Sequence, residues 1–148
     1  MELPVADLYL VSCVKRRRAS CSAARDLYSS PWFRKARACI EATGQPWAIL
    51  SAKHGLVWPN DSIEPYCETL LHVRAEQRRH WADNVLLSLK PHLTNVSKVV
   101  IFAGVRYRER LAPELERIGI NVMVPMTGLG IGRQLRWLNA ALHESRAR

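Results

Sequence analysis

At 148 residues the chain has room for one domain with a full core and too little for two comfortable ones. Its 48% hydrophobic and 24% charged residues are those of an ordinary globular protein, which excludes extended disorder. Twenty-two Lys and Arg against 13 Asp and Glu leave a formal net charge of +9, so an anionic partner is favoured, with nucleic acid ahead of a membrane surface.

The opening residues, MELPVADLYLVS, have no basic leader and no long apolar run, so neither a signal peptide nor a membrane span is expected there. The four cysteines, Cys13, Cys21, Cys39 and Cys67, form no CxxC and no Cys/His ladder. They read as reduced thiols of a cytoplasmic protein, with no metal site, no cofactor and no membrane association.

Taken in order, the elements alternate. Asp7 to Val14 (DLYLVSCV) is a mostly apolar strand. The basic run Lys15, Arg16, Arg17, Arg18 follows it directly. With Arg34, Lys35 and Arg37 this run accounts for most of the eight cations that residues 1–40 set against three acids, and these residues are the expected phosphate contacts. Ser30 and Pro31 read as N-cap and first residue of a helix, WFRKARACIEAT, that ends at Gly44. Pro46 to Ser51 is a second strand. Val73 to Lys90 is a long amphipathic helix stopped by Pro91, with Trp81, Val85 and Leu89 four residues apart. Lys98 to Ala103 is a third strand, Tyr107 to Ile118 a helix closed by Gly119, Ile120 to Val124 a fourth strand, and Gly132 to His143 a last helix. Strands alternating with helices predict a parallel sheet with right-handed crossovers. The expectation is a single α/β domain over residues 1–148, three layers deep, with a mainly parallel four-stranded sheet.

In such a sheet ligands bind outside the carboxyl ends of the strands. The first strand ends in Ser12, Cys13 and Lys15, and the second in Ser51, Lys53, His54 and Gly55. The third ends at Gly104 with Tyr107 a turn later, and the fourth runs into TGLGIG, with Gly128, Gly130 and Gly132 opening the last helix. Glycines there let backbone N–H groups approach an anion at a helix N-terminus. Past the second strand, Asp61, Glu64 and Glu68 lie in a loop stiffened by Pro59 and Pro65. A fixed carboxylate near Lys53 and His54 is suited to general-base work or to stabilising a cationic transition state.

The segments VSCVKRR, AARDLYSSPWFRKAR, WAILSAKHGLVWPNDSIEPYCETL, VIFAGVRYRERL and VPMTGLGIGRQLRWL together resemble a family of small bacterial and phage proteins of unassigned function. Its pattern is VSCxKxK, DLYxSPLFRxAR, LSAKYGLV, PYDxTL, AGxxY and GLGIGxQLxWL, covering about Val11 to Leu138. More distantly, LSAKHGLV with EPYCETL is similar to a stretch of the YaaA-like peroxide-stress proteins, which bind DNA, and to a segment of archaeosine synthase-type enzymes. The resemblance implies a YaaA-like fold and a link to nucleic acid or its bases. It extends to Ser12, Cys13 and Lys15, to Asp26, Leu27, Tyr28 and Ser30, and to Ser51, Lys53 and Gly55. Glu64, Pro65, Tyr66 and Thr69, Gly104 and Tyr107, and Gly128, Gly130 and Gly132 complete the correspondence. The chain departs from the pattern at His54, where Tyr is usual, and at Cys67, where Asp is common.

The expected activity is hydrolysis of the N-glycosidic bond of a modified DNA base, as in a DNA glycosylase. Glu64, Asp61 and Lys53 are the catalytic candidates, and Trp58, Tyr66 and Tyr107 are the aromatic platforms for an extruded base. A nucleotide N-glycosidase or deoxyribosyl transferase, and a non-catalytic DNA-binding module, are the alternatives. The basic excess argues against the former and the carboxylate-bearing loop against the latter.

Overall fold

The computed structural model describes residues 3–12, 22–23, 30–63, 70 and 73–147. Its strands are β1 (Leu8–Ser12), β2 (Ser22–Ala23), β3 (Trp47–Ser51), β4 (Gly55–Val57), β5 (Ser62–Ile63), β6 (Lys98–Phe102) and β7 (Asn121–Met123). Its helices are α1 (Pro31–Glu41), α2 (Ala75–Leu89), α3 (Val105–Arg108), α4 (Leu111–Arg117) and α5 (Ile131–Ala147). The main sheet has the order β4-β3-β1-β6-β7, and β2 and β5 form a separate two-stranded ladder.

The four expected strands are present and mutually parallel: β1 pairs with β3 and with β6, and β6 with β7. The sheet is nevertheless mixed and five-stranded. Gly55–Val57 turns back antiparallel on β3, with Ser51 opposite Gly55 and Ile49 opposite Val57. A strand of three residues that begins with a glycine carries no period-two signal to read, which is why it escapes the sequence pattern.

Alternation along the strands builds two cores. Tyr9, Val11, Trp47, Ile49, Val100 and Phe102 face α1 and α5, meeting Phe33, Ala36, Ile40 and Leu138. Leu8, Leu10, Ala48, Leu50, Val99 and Ile101 face the other way, onto Ala82, Val85 and Leu89 of α2 and Leu111 and Leu115 of α4. Every residue of β1 is buried, as expected for a central strand covered on both faces. The result is three layers.

The helix expected over Tyr107 to Ile118 is divided in two, and Pro113 explains the division. In a continuous helix its ring would press on the carbonyl of Glu109 and its missing N–H would break the ladder. A new start at Leu111 puts Pro113 in the first turn of α4, where N–H groups have no intrahelical partner anyway. The other ends fall close to expectation. α1 is capped by Ser30 Oγ, which accepts from Phe33 N at 3.1 Å, and Gly44 and Gly119 take positive φ after their helices.

Taken alone, the parallel strands run second, first, third, fourth in sequence order. The crossover through α1 covers one face, and those through α2 and through α3 and α4 cover the other. The reversal falls between β1 and β6. Outside the carboxyl ends of those two strands, at Ser12 and at Ala103-Gly104, a doubly wound sheet leaves its crevice.

Candidate functional site

Pairing fixes what meets at this rim. Ser12 lies opposite Leu50, one residue before Ser51, and Val11 lies opposite Phe102, two residues before Gly104. Ser12 and Ser51 are buried, and neighbouring strands carry them.

Ser51 has a structural task. Its Oγ accepts from His54 N at 3.0 Å, its carbonyl accepts from Trp81 Nε1 at 2.8 Å, and Gly55 follows at φ 72°. LSAKHG is therefore a three-residue hairpin loop closed by a left-handed glycine. Lys53 and His54 sit exposed at its tip, on the carboxyl side of the sheet.

Trp81 continues inward. Its ring meets that of Tyr107 edge-on, with centroids 5.6 Å apart at 86°, and Tyr107 OH accepts from Leu70 N at 3.5 Å. Tyr107 is only 7% exposed. It braces the junction of α2 and α3 from inside and offers no free ring face for stacking a base. Trp58 is likewise occupied: it packs on His92 with centroids 4.6 Å apart. His92 follows the C-terminus of α2, the end remote from the rim. The antiparallel course of β4 carries Trp58 there, so the stacking roles expected of Trp58 and Tyr107 do not fit their positions.

Asp61 belongs to the same turn as Trp58. Its Oδ2 accepts from Trp58 N at 2.8 Å while its own N donates to Trp58 O at 3.0 Å, a side-chain turn around Pro59-Asn60. Its carboxylate thus shapes the approach to β5. Gly104 caps the short α3 at φ −69°, a value any residue adopts. Arg108 Nε folds back onto Ala103 O at 3.1 Å.

The glycine segment is anchored by a residue that sequence reasoning passed over. Gln134 accepts from Trp32 Nε1 at 2.9 Å through Oε1 and donates to Leu129 O at 2.7 Å through Nε2. The bond ties the first turn of α5 to the first turn of α1. The two helices continue side by side, with Lys35 Nζ on Asn139 and Cys39 Sγ 3.4 Å from Leu138 O. Their N-termini therefore open together at the carboxyl end of the sheet. Gly128 needs its φ of 81°, whereas Gly130 and Gly132 have no positive φ, and a Cβ at either would meet nothing within 4 Å. Neither backbone shape nor packing demands glycine at those two positions. The clue to Gln134 was its place inside GLGIGRQL, and the clue to Trp81 was a tryptophan on the apolar stripe of α2.

Of the basic residues expected to contact phosphate, Arg34 is exposed, Lys35 is engaged by Asn139, and Arg37 Nε is paired with Glu41 at 2.8 Å within its own helix. Cys13, Lys15, Arg16, Arg17, Arg18, Asp26, Tyr28, Glu64 and Tyr66 lie outside the described residues. Their neighbours are informative. Ser22 pairs with Ile63 and Ala23 with Ser62, so the connection leaving β1 and the connection leaving β4 are laced together by an antiparallel ladder.

The model of a family of unknown function, DUF6884, matches residues 8–140. The chain belongs to that family. No curated protein and no solved structure matches the chain. Among the described residues of this DUF6884 member, no group of three His, Cys, Asp or Glu could hold a metal ion. None of their helices is long and apolar enough to cross a membrane.

Proposed function

We propose that this DUF6884 protein processes bases in nucleic acid, most specifically as a cytoplasmic DNA glycosylase that hydrolyses the N-glycosidic bond of a modified base. The reading rests on one observation: the β2–β5 ladder links the connection bearing Lys15 to Arg18 with the connection bearing Glu64. Backbone-binding cations and a candidate catalytic carboxylate thus belong to two loops held to each other. The crevice between β1 and β6 and the adjacent N-termini of α1 and α5 add a setting that favours a phosphodiester.

In this mechanism the C1′–N bond breaks with its electron pair going to the base nitrogen, and positive charge grows on the sugar. Glu64 stabilises that charge and accepts a proton from the water whose oxygen bonds to C1′. The departing base takes up a proton from Lys53 or from solvent. Asp61, held by Trp58 N, fixes the chain ahead of Glu64 and is not the base in this scheme.

Glu64→Gln keeps the shape and removes the charge, so it is expected to reduce base release at least a hundredfold while leaving DNA binding within about threefold. Lys53→Ala is expected to weaken both. The measurement is release of free base from oligonucleotides carrying a panel of modified bases, followed by mass spectrometry under single turnover, beside a binding titration. Undiminished release by Glu64→Gln removes the carboxylate mechanism, and binding without release from any substrate leaves a DNA-binding module.

A further inference from the structure

Away from the glycine segment, α2 and the α3–α4 pair enclose an open groove of about 330 Å³. Among the described residues it is lined by four arginines, Arg78, Arg79, Arg106 and Arg110, against two glutamates and no lysine. We propose that this groove holds the phosphodiester backbone of a nucleic-acid strand whose target nucleotide occupies the neighbouring rim crevice, an assignment that rests on the nucleic-acid reading above.

The arginines are not equivalent. Arg78, 12% exposed, is consumed internally: its Nε binds Glu109 at 2.6 Å and its Nη1 binds Val73 O. Arg110 binds Asp83 at 2.8 Å, tying α2 to the start of α4. Those two pairs tie α2 to α3 and to the start of α4, and they leave Arg79 and Arg106 as the less engaged cations. Arg79 is exposed and makes no ion pair or hydrogen bond with any described residue. Arg106 reaches only the far oxygen of Glu109, at 4.0 Å, on a carboxylate that Arg78 already holds. An exposed pair at that distance contributes little.

Place and chemistry agree. α3 starts at Gly104, beside the crevice between β1 and β6, and Arg106 and Tyr107 stand in its first turn. Arg78 and Arg79 occupy the first two turns of α2, whose N-terminus opens at the same end of the sheet. The groove therefore lies on the side of the rim from which α2 and α3 depart, and Tyr107, braced by Trp81, is among its lining residues. Guanidinium groups present forked donors that match phosphate oxygens, which a lysine ammonium does not. The volume suits a single nucleotide unit of a strand passing through.

The test compares two charge-reversed proteins of equal net charge. R79E/R106E alters the exposed cations of the groove, of which only Arg106 has an ion pair with a described residue, a long one with Glu109. K90E/R136E alters an exposed cation after the C-terminus of α2 and one on the outer side of α5. Both are titrated with unmodified single-stranded and duplex DNA across a salt series, with a free nucleoside monophosphate and pyrophosphate as separate ligands. R79E/R106E is expected to weaken DNA binding at least tenfold and to lower the slope of log K against log salt by about two, with K90E/R136E changing both far less. The neutral R79Q/R106Q, checked by circular dichroism, is expected to give an intermediate loss. Equal weakening by the two reversals overturns the groove and leaves the function reading standing. Unchanged binding by R79E/R106E does the same. Free monophosphate binding as tightly as the strand overturns the strand assignment in favour of a nucleotide pocket. A wild-type protein that binds no DNA at low salt overturns both the groove and the reading it rests on.

Discussion

Asp7 accepts three hydrogen bonds on one carboxylate oxygen, from Ser97 N at 3.0 Å, Ser97 Oγ at 2.9 Å and Lys98 N at 3.0 Å. The Ser97 N–H, then its hydroxyl and the Lys98 N–H, hold the carboxyl below its ordinary range. A depressed folded pKa adds stability that is complete above the unfolded value, near pH 4, and is lost as pH falls through the folded value. Asp7→Asn is therefore expected to be less stable than wild type at neutral pH, with the difference shrinking as pH drops below about 4. Urea unfolding of both proteins across that range reads it out, and a pH-independent difference would assign the effect to something other than charge. Asp7 did not stand out in the sequence because its partners lie ninety residues away, and an acid before a strand looks like a solvated end. The same blindness applied to Ser51. Its position at a strand end was legible, but the His54 N–H that occupies its Oγ was not, because a hairpin must exist before the bond can.

The β3–β4 hairpin and Gly130 of the glycine segment make opposite demands on glycine. Gly55 stands at φ 72°, with Val85 Cγ2 3.8 Å from where a Cβ would lie, an ordinary contact. Backbone conformation alone then sets the cost, and Gly55→Ala is expected to lower the unfolding free energy by about 1 kcal/mol. Gly130→Ala, free of that constraint and of any neighbour, is expected to change stability by less than about 0.5 kcal/mol. Chemical denaturation of the two variants distinguishes them, and a large loss at Gly130 would reveal a constraint the backbone does not display. Elements were read best where burial leaves a long imprint. β1, β3 and β6 are apolar except at one end residue each, Ser12, Ser51 and Lys98, because both faces are covered, and α2 shows its stripe over fifteen residues. Two-residue strands such as β2 and β5 have no period at all. Only tertiary pairing creates them, so the ladder that links the two loops was invisible in the sequence.

At the scale of the molecule, one sheet serves two cores, and β1, β3 and β6 contribute residues to both. Neither helical layer retains a surface to pack on without that sheet, so the protein is expected to unfold in one step. Phe33→Ala opens a hole on the α1 and α5 side, and Val85→Ala one on the α2 side; both residues are fully buried. Losses of about 3–5 and about 2 kcal/mol are expected, each shifting one shared transition in far-UV circular dichroism and tryptophan fluorescence. Separated transitions would mean that the layers are energetically independent. The position of the rim was readable from strand ends, since a parallel sheet gathers them on one side. The arginine groove was not, because its residues come from three helices whose packing the sequence does not state.

The outermost strands of the main sheet, β4 and β7, have three residues each, while the three strands between them have five. An edge strand presents unpaired N–H and C=O groups on which another chain can extend the sheet, and the hazard grows with its length. Here each outer edge offers such a template for only three residues, at Gly55–Val57 and at Asn121–Met123. The β-rich, strongly apolar segments, those most able to seed fibrils, are interior and already paired on both sides. Sheet order thus guards the molecule against self-association through its own backbone.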